Sequence, residues 1–272
     1  VDQTVVMARL QNGLGLAEQA AAALYGQYTF GMTLFNLPAT FVYPVTVSLI
    51  PAVSAALTRQ NTLQANRIIS SSFRLIALFS LPAGVGLSVL AQPILQLLYP
   101  AVPDTAAAAA YHLQILGAAA VFVCLMILTN AILQACGRVY VPIVTALIGG
   151  AVKISTTYTL CGNPVFGIKG APISTTACYA VIAVLNLCVL AAVLGKSRPR
   201  YLPLLCKPAL AAALMGGCAH FVFRFLHTAA GLSPQWAVLA AIVLAASFYA
   251  FLALLLRMVT REDLALIPKG EK

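Results

Sequence analysis

Few side chains in this sequence carry charge, and fewer still carry a negative one: Asp and Glu total six against sixteen Lys and Arg, and together they make up 8% of 272 residues. With 61% hydrophobic residues and a mean hydropathy of +0.95, a chain folded in water could not solvate its own surface. Lipid is the solvent this composition fits. The seven cysteines are scattered and include no CxxC pair. Nearly all fall in apolar runs, so they read as small buried residues rather than as disulfides or metal ligands. The shortage of acids also argues against catalysis. Glu262, Asp263 and Glu271 sit in the last stretch of chain, and only Asp104 and His112 stand near enough in sequence to pair beside one loop. Nothing supplies a nucleophile, a base and an orienting group together.

What is present instead is long runs without any charge, bounded by Glu18 and Arg59, Arg74 and Asp104, Asp104 and Arg138, Lys169 and Lys196, and Arg224 and Arg257. Each exceeds the roughly 20 residues that a helix needs to cross about 30 Å of hydrocarbon. The runs are continuously apolar, whereas barrel strands would alternate polar and apolar over about 10 residues. The fold class is therefore all-α, a polytopic transmembrane helical bundle. Full crossings are predicted at about 20–57, 74–99, 106–135, 139–160, 171–194, 204–226 and 236–257. Pro38, Pro44 and Pro51 should kink or segment the first of these. Val1 in place of Met, followed at once by Asp2 in an apolar context, reads as a chain cut inside a helix, with a preceding half outside it. The organisation expected is a truncated helix end at 1–11, a lobe of five full spans at 12–194, and two additional spans with a tail at 195–272.

Basic residues orient the bundle, because short loops that keep Lys and Arg remain on the cytoplasmic side. Arg59, Arg67 and Arg74 fall in one connection and Arg138 in the next but one. Lys196, Arg198, Arg200 and Lys207 follow in the third alternate loop, and Arg257, Arg261, Lys269 and Lys272 in the tail. The predicted location is a bacterial plasma membrane with the C-terminus cytoplasmic. This pattern also accounts for the net charge of +10 without a nucleic-acid partner. On a helical wheel Arg59, Arg67 and Arg74 share a sector opposite Ala65, Ile68, Ile69 and Phe73, which predicts a separate interfacial helix or a solvated connector on the cytoplasmic face.

Within a membrane the rare polar residues become informative. Lys153 lies near the middle of the 139–160 span, where a lysine costs on the order of 2.5 to 3.5 kcal/mol. It shares a sector with Gly149, Gly150, Thr156 and Thr157, a small, polar face suited to a water-filled cavity or to close packing. There it would attract an anionic diphosphate, snorkel, or join an internal ion pair. Asp2 and Arg9 share one helix face, Asp2 within the membrane and Arg9 towards the outer surface. Asp2 could take up Na⁺ or a proton, or pair with Lys153. Asn36, Asn130 and Gln134 must find partners in lipid, either across helices or along a cavity. His220, Arg224 and His227 form a basic stripe at i, i+4, i+7 that reads as snorkelling to headgroups, since the arginine repels a metal ion.

The order of several segments carries a family resemblance: VDQTVVMARL, then LYGQYTFGMTLFNLPATFVYPVTVSLIPAVSAA with its NLP and SLIPAVS elements, ILQACGR, and GIKGAPISTTACYAV. Over almost its whole length the chain resembles the C-terminal portion of the sporulation stage V protein B and MurJ group, within the multidrug, oligosaccharidyl-lipid and polysaccharide exporter superfamily. The resemblance implies two six-helix lobes forming a V around a cavity, two extra C-terminal helices, and alternating access that flips an undecaprenyl-linked cell-wall or capsule precursor. Its partners would be that lipid-linked saccharide, the bilayer and an N-terminal lobe; no cofactor is implied. Alternatives of other kinds are a cation-coupled multidrug exporter of the superfamily and a non-transporting membrane scaffold or enzyme. Lipid II flippases of the superfamily carry a cavity arginine where TLFNLP places Thr33, so the cargo implied is a lipid-linked saccharide in general. Some members bind Na⁺ through an acid on helix seven and polar groups on helices eleven and twelve. Asp2 matches the acid, and Thr157 and Thr175 are approximate counterparts of the others.

Overall fold

Helix is the only structure in which each backbone N–H and C=O of a lone apolar segment is satisfied without water, and the computed structural model of the chain is built of helices. It describes residues 2–195, 201–228, 231, 233–256 and 258. Among these there are no strands. The helices are α1 (Asp2–Leu14), α2 (Glu18–Phe35), α3 (Leu37–Thr58), α4 (Thr62–Val89), α5 (Ala91–Leu98), α6 (Pro103–Ala135), α7 (Tyr140–Cys161), α8 (Gly170–Leu194), α9 (Tyr201–Thr228) and α10 (Pro234–Leu255). A 3-10 turn, Gly167–Lys169, leads into α8. Among the described residues seven helical segments are long and apolar enough to cross a membrane, with α2 and α3 together forming the first.

The expected segmentation at the prolines falls at Asn36. Pro38 stands at the second position of α3 and cannot donate back to α2; the Asn36 backbone N–H turns to the Leu34 carbonyl and its Nδ2 donates to Met32 O at 2.9 Å. Pro44 and Pro51 are held within α3 on its exposed side.

The predicted interfacial helix between Arg59 and Arg74 is corrected. A tight turn at Gln60, with φ of 55°, ends α3, and Asn61 Oδ1 caps the next helix by accepting from the Gln64 backbone N–H at 3.0 Å. From Thr62 the helix then runs without interruption to Val89. Its 28 residues span about 42 Å. The apolar stripe opposite the arginines is buried by the bundle: Ala65, Ile69 and Phe73 are each at most 1% exposed. An amphipathic stripe has the same wheel against protein as against lipid, and only the packing tells them apart. The far end of this span also differs from the expected 74–99, because α4 stops at Leu90 and α5 follows as a separate short helix.

The long α6 is the spine. It packs against α2, α3, α4, α5 and α8, while α7 leans on α8 and α1 closes the gap between α2 and α7. Where α4 crosses α6 the backbones touch: a Cβ on Gly117 would lie within 2.5 Å of the Gly84 carbonyl and closer still to Ser88 Oγ. Ser88 bridges the two helices by donating to Gln114 O at 2.8 Å. The pair α9 and α10 stands outside this lobe, joined through α4 and α5. Residues 196–200 and 259–272, which bear much of the cytoplasmic charge assigned from sequence, lie outside the described residues.

Candidate functional site

Two polar nodes lie inside the lobe. At the first, Lys153 Nζ on α7 meets Asp2 Oδ2 on α1 at 3.0 Å, with the two side chains 22% and 25% exposed. Ion pairing was one of the alternatives open to both residues. Tyr28 of α2 extends the node. Its buried hydroxyl lies 2.9 Å from Thr175 Oγ1 on α8 and donates more weakly to Asp2 Oδ2 at 3.5 Å. Four helices thus converge on one carboxylate, whose other oxygen, Oδ1, is buried without a hydrogen-bond partner. His112 of α6 lies edge-on to the Tyr28 ring with centroids 6.0 Å apart.

Arg9, two turns further along α1, is held apart from this node. Its Nε donates to Tyr158 O at 3.1 Å, and the guanidinium lies 3.9 Å from the centroid of the Tyr158 ring. The C-terminal end of α7 favours a cation there, and Gly162 leaves the room: a Cβ at that position would collide with the guanidinium. α1 is therefore pinned to α7 at two levels by opposite charges.

The second node is centred on Asn186 of α8, which is fully buried. Its Nδ2 donates to Asn130 Oδ1 at 2.7 Å and to Thr129 Oγ1 at 3.1 Å on α6, while its Oδ1 accepts from Thr145 Oγ1 of α7 at 2.8 Å. Asn130 is thus engaged across helices. Thr157 belongs to neither node directly; buried, it donates to Ser174 Oγ at 2.8 Å. Of the approximate counterparts suggested by resemblance, Thr175 reaches Asp2 through Tyr28, and Thr157 is tied to Ser174 instead.

Sequence reasoning did not single out Tyr28 or Asn186. Asn186 was findable by the logic applied to Asn130, a lone amide in an apolar run. Tyr28 bears no such signal, because a tyrosine is common in a membrane helix. Asp104 and His112 do not meet: Asp104 is exposed at the start of α6, and His112 lies about 12 Å further along the axis, buried. Among the described residues no three His, Cys, Asp or Glu come together so as to hold a metal. His220, Arg224 and His227 are exposed at the end of α9, with the His227 ring stacked on Phe223.

Outside the lobe interior two further surfaces adjoin. Thr29, Thr33, Asn36 and Thr40 recur at helical spacing along α2 and α3, and the last three are exposed in this chain. Beside them opens an apolar cleft of about 480 Å³ between α3, α4, α9 and α10, lined by residues including Leu37, Phe41, Phe79, Met215, Ile242 and Tyr249. Asn36 and Leu37 are neighbours, so the polar track and the apolar cleft meet at the break between α2 and α3.

Comparison with known proteins agrees with this architecture. A family described as "Lipid II flippase MurJ" matches residues 9–260. Two proteins of Bacillus subtilis (strain 168) are similar along nearly the whole chain. The uncharacterized membrane protein YabM is 28% identical over 261 residues, covering 95% of this chain and 48% of that protein. Stage V sporulation protein B is 25% identical over 269 residues, covering 98% and 50%. The chain thus spans about half the length of these relatives. Among solved structures, the inward closed conformation of the lipid II flippase MurJ superposes with a TM-score of 0.64 at 17% identity, covering 94% of this chain and 52% of that one. An inward-facing multidrug resistance MATE family transporter of the MOP superfamily superposes at 0.52 and 17% identity, covering 97% and 60%. At that identity the two structures speak to the fold alone.

Proposed function

Because the chain belongs to the lipid II flippase MurJ family, a family of multi-pass membrane transporters, we propose that it forms one lobe of a flippase for undecaprenyl-linked cell-wall or polysaccharide precursors. The observation that carries this reading is the meeting of a polar track and an apolar cleft at Asn36 and Leu37. A lipid-linked saccharide has the same division, a hydrated head and a long hydrocarbon tail. The head would follow Thr33, Asn36 and Thr40 while the tail rests between α3, α4, α9 and α10, where apolar walls cost it nothing relative to lipid. The threonine hydroxyl protons and an Asn36 amide proton are satisfied on carbonyls of the same helices. The track can therefore stand empty at little cost and still offer acceptor oxygens to sugar hydroxyls.

The same track would face a second lobe, in the part of the relatives' length that this chain does not span. Rocking of the two lobes about the track would expose it to each side of the membrane in turn. The loop charges argue for the C-terminus on the cytoplasmic side.

A reconstituted flipping assay tests the reading. Full-length protein in vesicles should translocate a fluorescent undecaprenyl-diphosphate-linked saccharide, and Ala246→Trp, which fills the cleft, should slow it more than tenfold. Short-tailed analogues should be moved at similar rates by both proteins. Vesicles that instead export amphiphilic drugs down a cation gradient, with no lipid-linked saccharide moved, would establish a drug exporter in its place.

A further inference from the structure

The family likeness suggests a sodium site built on the α1 acid, and the residues around Asp2 do not fit one. We propose that Lys153 is a resident cation: its ammonium, tethered to α7, occupies the position in which a free Na⁺ would neutralise Asp2. The protein therefore binds no Na⁺ at that carboxylate.

Three observations carry this. First, the ammonium is already 3.0 Å from Asp2 Oδ2, so the local formal charge is zero. A metal ion brought to the carboxylate would be repelled by the ammonium at the same range at which it was attracted. Second, the surrounding groups suit an ammonium poorly replaced by metal. A hard cation takes a shell of several oxygen ligands, whereas the ammonium on Oδ2 leaves Asp2 only Oδ1 to offer one. Its neighbours Tyr28 and Thr175 are hydroxyls already joined to each other at 2.9 Å. The remaining formal charge on α1 is Arg9, another cation, fixed on Tyr158. Third, Lys153 is placed by a helix held independently of the pair: α7 is fixed by its packing on α8 and by the Thr145–Asn186 bond. The lysine is thus presented to Asp2 by the scaffold and need not be recruited.

A tethered ammonium differs from a dissolved ion in one functional respect. It is always present at its effective concentration, so the charge balance at Asp2 is insensitive to the sodium concentration on either side. The inference rests on the geometry of the pair and is independent of the substrate, so a failed flipping assay would leave it standing.

Sodium-dependent thermal unfolding of the full-length protein in detergent tests it, comparing NaCl with choline chloride at equal ionic strength. Wild type should unfold at the same temperature in both. Lys153→Met strips the carboxylate of its counter-ion and should gain a Na⁺-specific rise of about 5 °C or more at saturation. Asp2→Asn/Lys153→Met should lose that rise. A Na⁺-specific stabilisation of wild type that Asp2→Asn abolishes would overturn the proposal, as would a Lys153→Met protein that stays indifferent to Na⁺. Should Lys153→Met not fold, Lys153→Arg and wild type decide between them: both must be indifferent to Na⁺.

Discussion

The lobe around α6 and the α9–α10 pair associate in the same apolar solvent by different means. Lipid offers no hydrophobic drive to bring helices together, so contact must come from close packing or from polar groups with nowhere else to go. The lobe uses both: the Asp2–Lys153 ion pair, the Asn186 node, and the glycine crossing of α4 and α6. The α9–α10 pair relies on small residues. Ala237, Ala241, Ala245, Tyr249 and Ala253 follow one another every four residues along α10 and are buried, against Ala211, Ala212, Met215 and Ala219 of α9. A polar tie to the lobe is Tyr249, whose hydroxyl donates to Leu78 O of α4 at 3.1 Å. The lobe is thereby held in register by directional bonds, while the pair is held by the close packing of small residues.

The largest break in this contrast should come from the ion pair. Removing one partner of a buried pair costs about 3 to 5 kcal/mol, and with about a quarter of each side chain exposed the lower end is expected for Asp2→Asn in sodium-free buffer. Asp2→Asn/Lys153→Met should recover part of the loss, and a thermal double-mutant cycle in detergent measures the coupling. Next, Gly117→Ala should cost about 1 to 3 kcal/mol by forcing α4 from α6; Gly217→Ala in α9, which meets nothing within 4 Å, serves as the neutral control in the same melts. Asn186→Leu removes three hydrogen bonds between α8 and its neighbours. Because interhelical bonds in membranes average about 0.6 kcal/mol each, a loss of about 2 kcal/mol is expected, accompanied by faster amide exchange in α7. The smallest effect belongs to Tyr249→Phe, about 0.5 to 1 kcal/mol. It should appear less in global stability than in greater α10 mobility, read from spin-label spectra at Val243. Equal effects of Asn186→Leu and Tyr249→Phe on the lobe would erase the distinction.

The candidate site was legible to uneven depth. Lys153 and Asp2 stood out because a charge in an apolar run has a known cost, and that cost demands a partner whatever the fold. Asn130 stood out for the same reason. Which partner each would take was not legible. Asn186 is separated from Asn130 by the whole of α7, and Tyr28 joins the acid only because α2 packs beside α1. The stripe of Ala65, Ile69 and Phe73 was recognised as amphipathic, but its burial by the bundle was not legible, since hydropathy cannot distinguish an apolar neighbour made of acyl chains from one made of side chains.

From sequence alone came the membrane setting, the helical class, the seven crossings and the identity of the costly residues, because all of these follow from local composition and the price of placing polar groups in hydrocarbon. Only tertiary structure decided that the lysine faces the acid, that α4 is one continuous helix, and that a polar track meets an apolar cleft at Asn36 and Leu37. Those outcomes depend on which helix faces lie opposite one another, a matter of long-range packing on which local periodicity is silent.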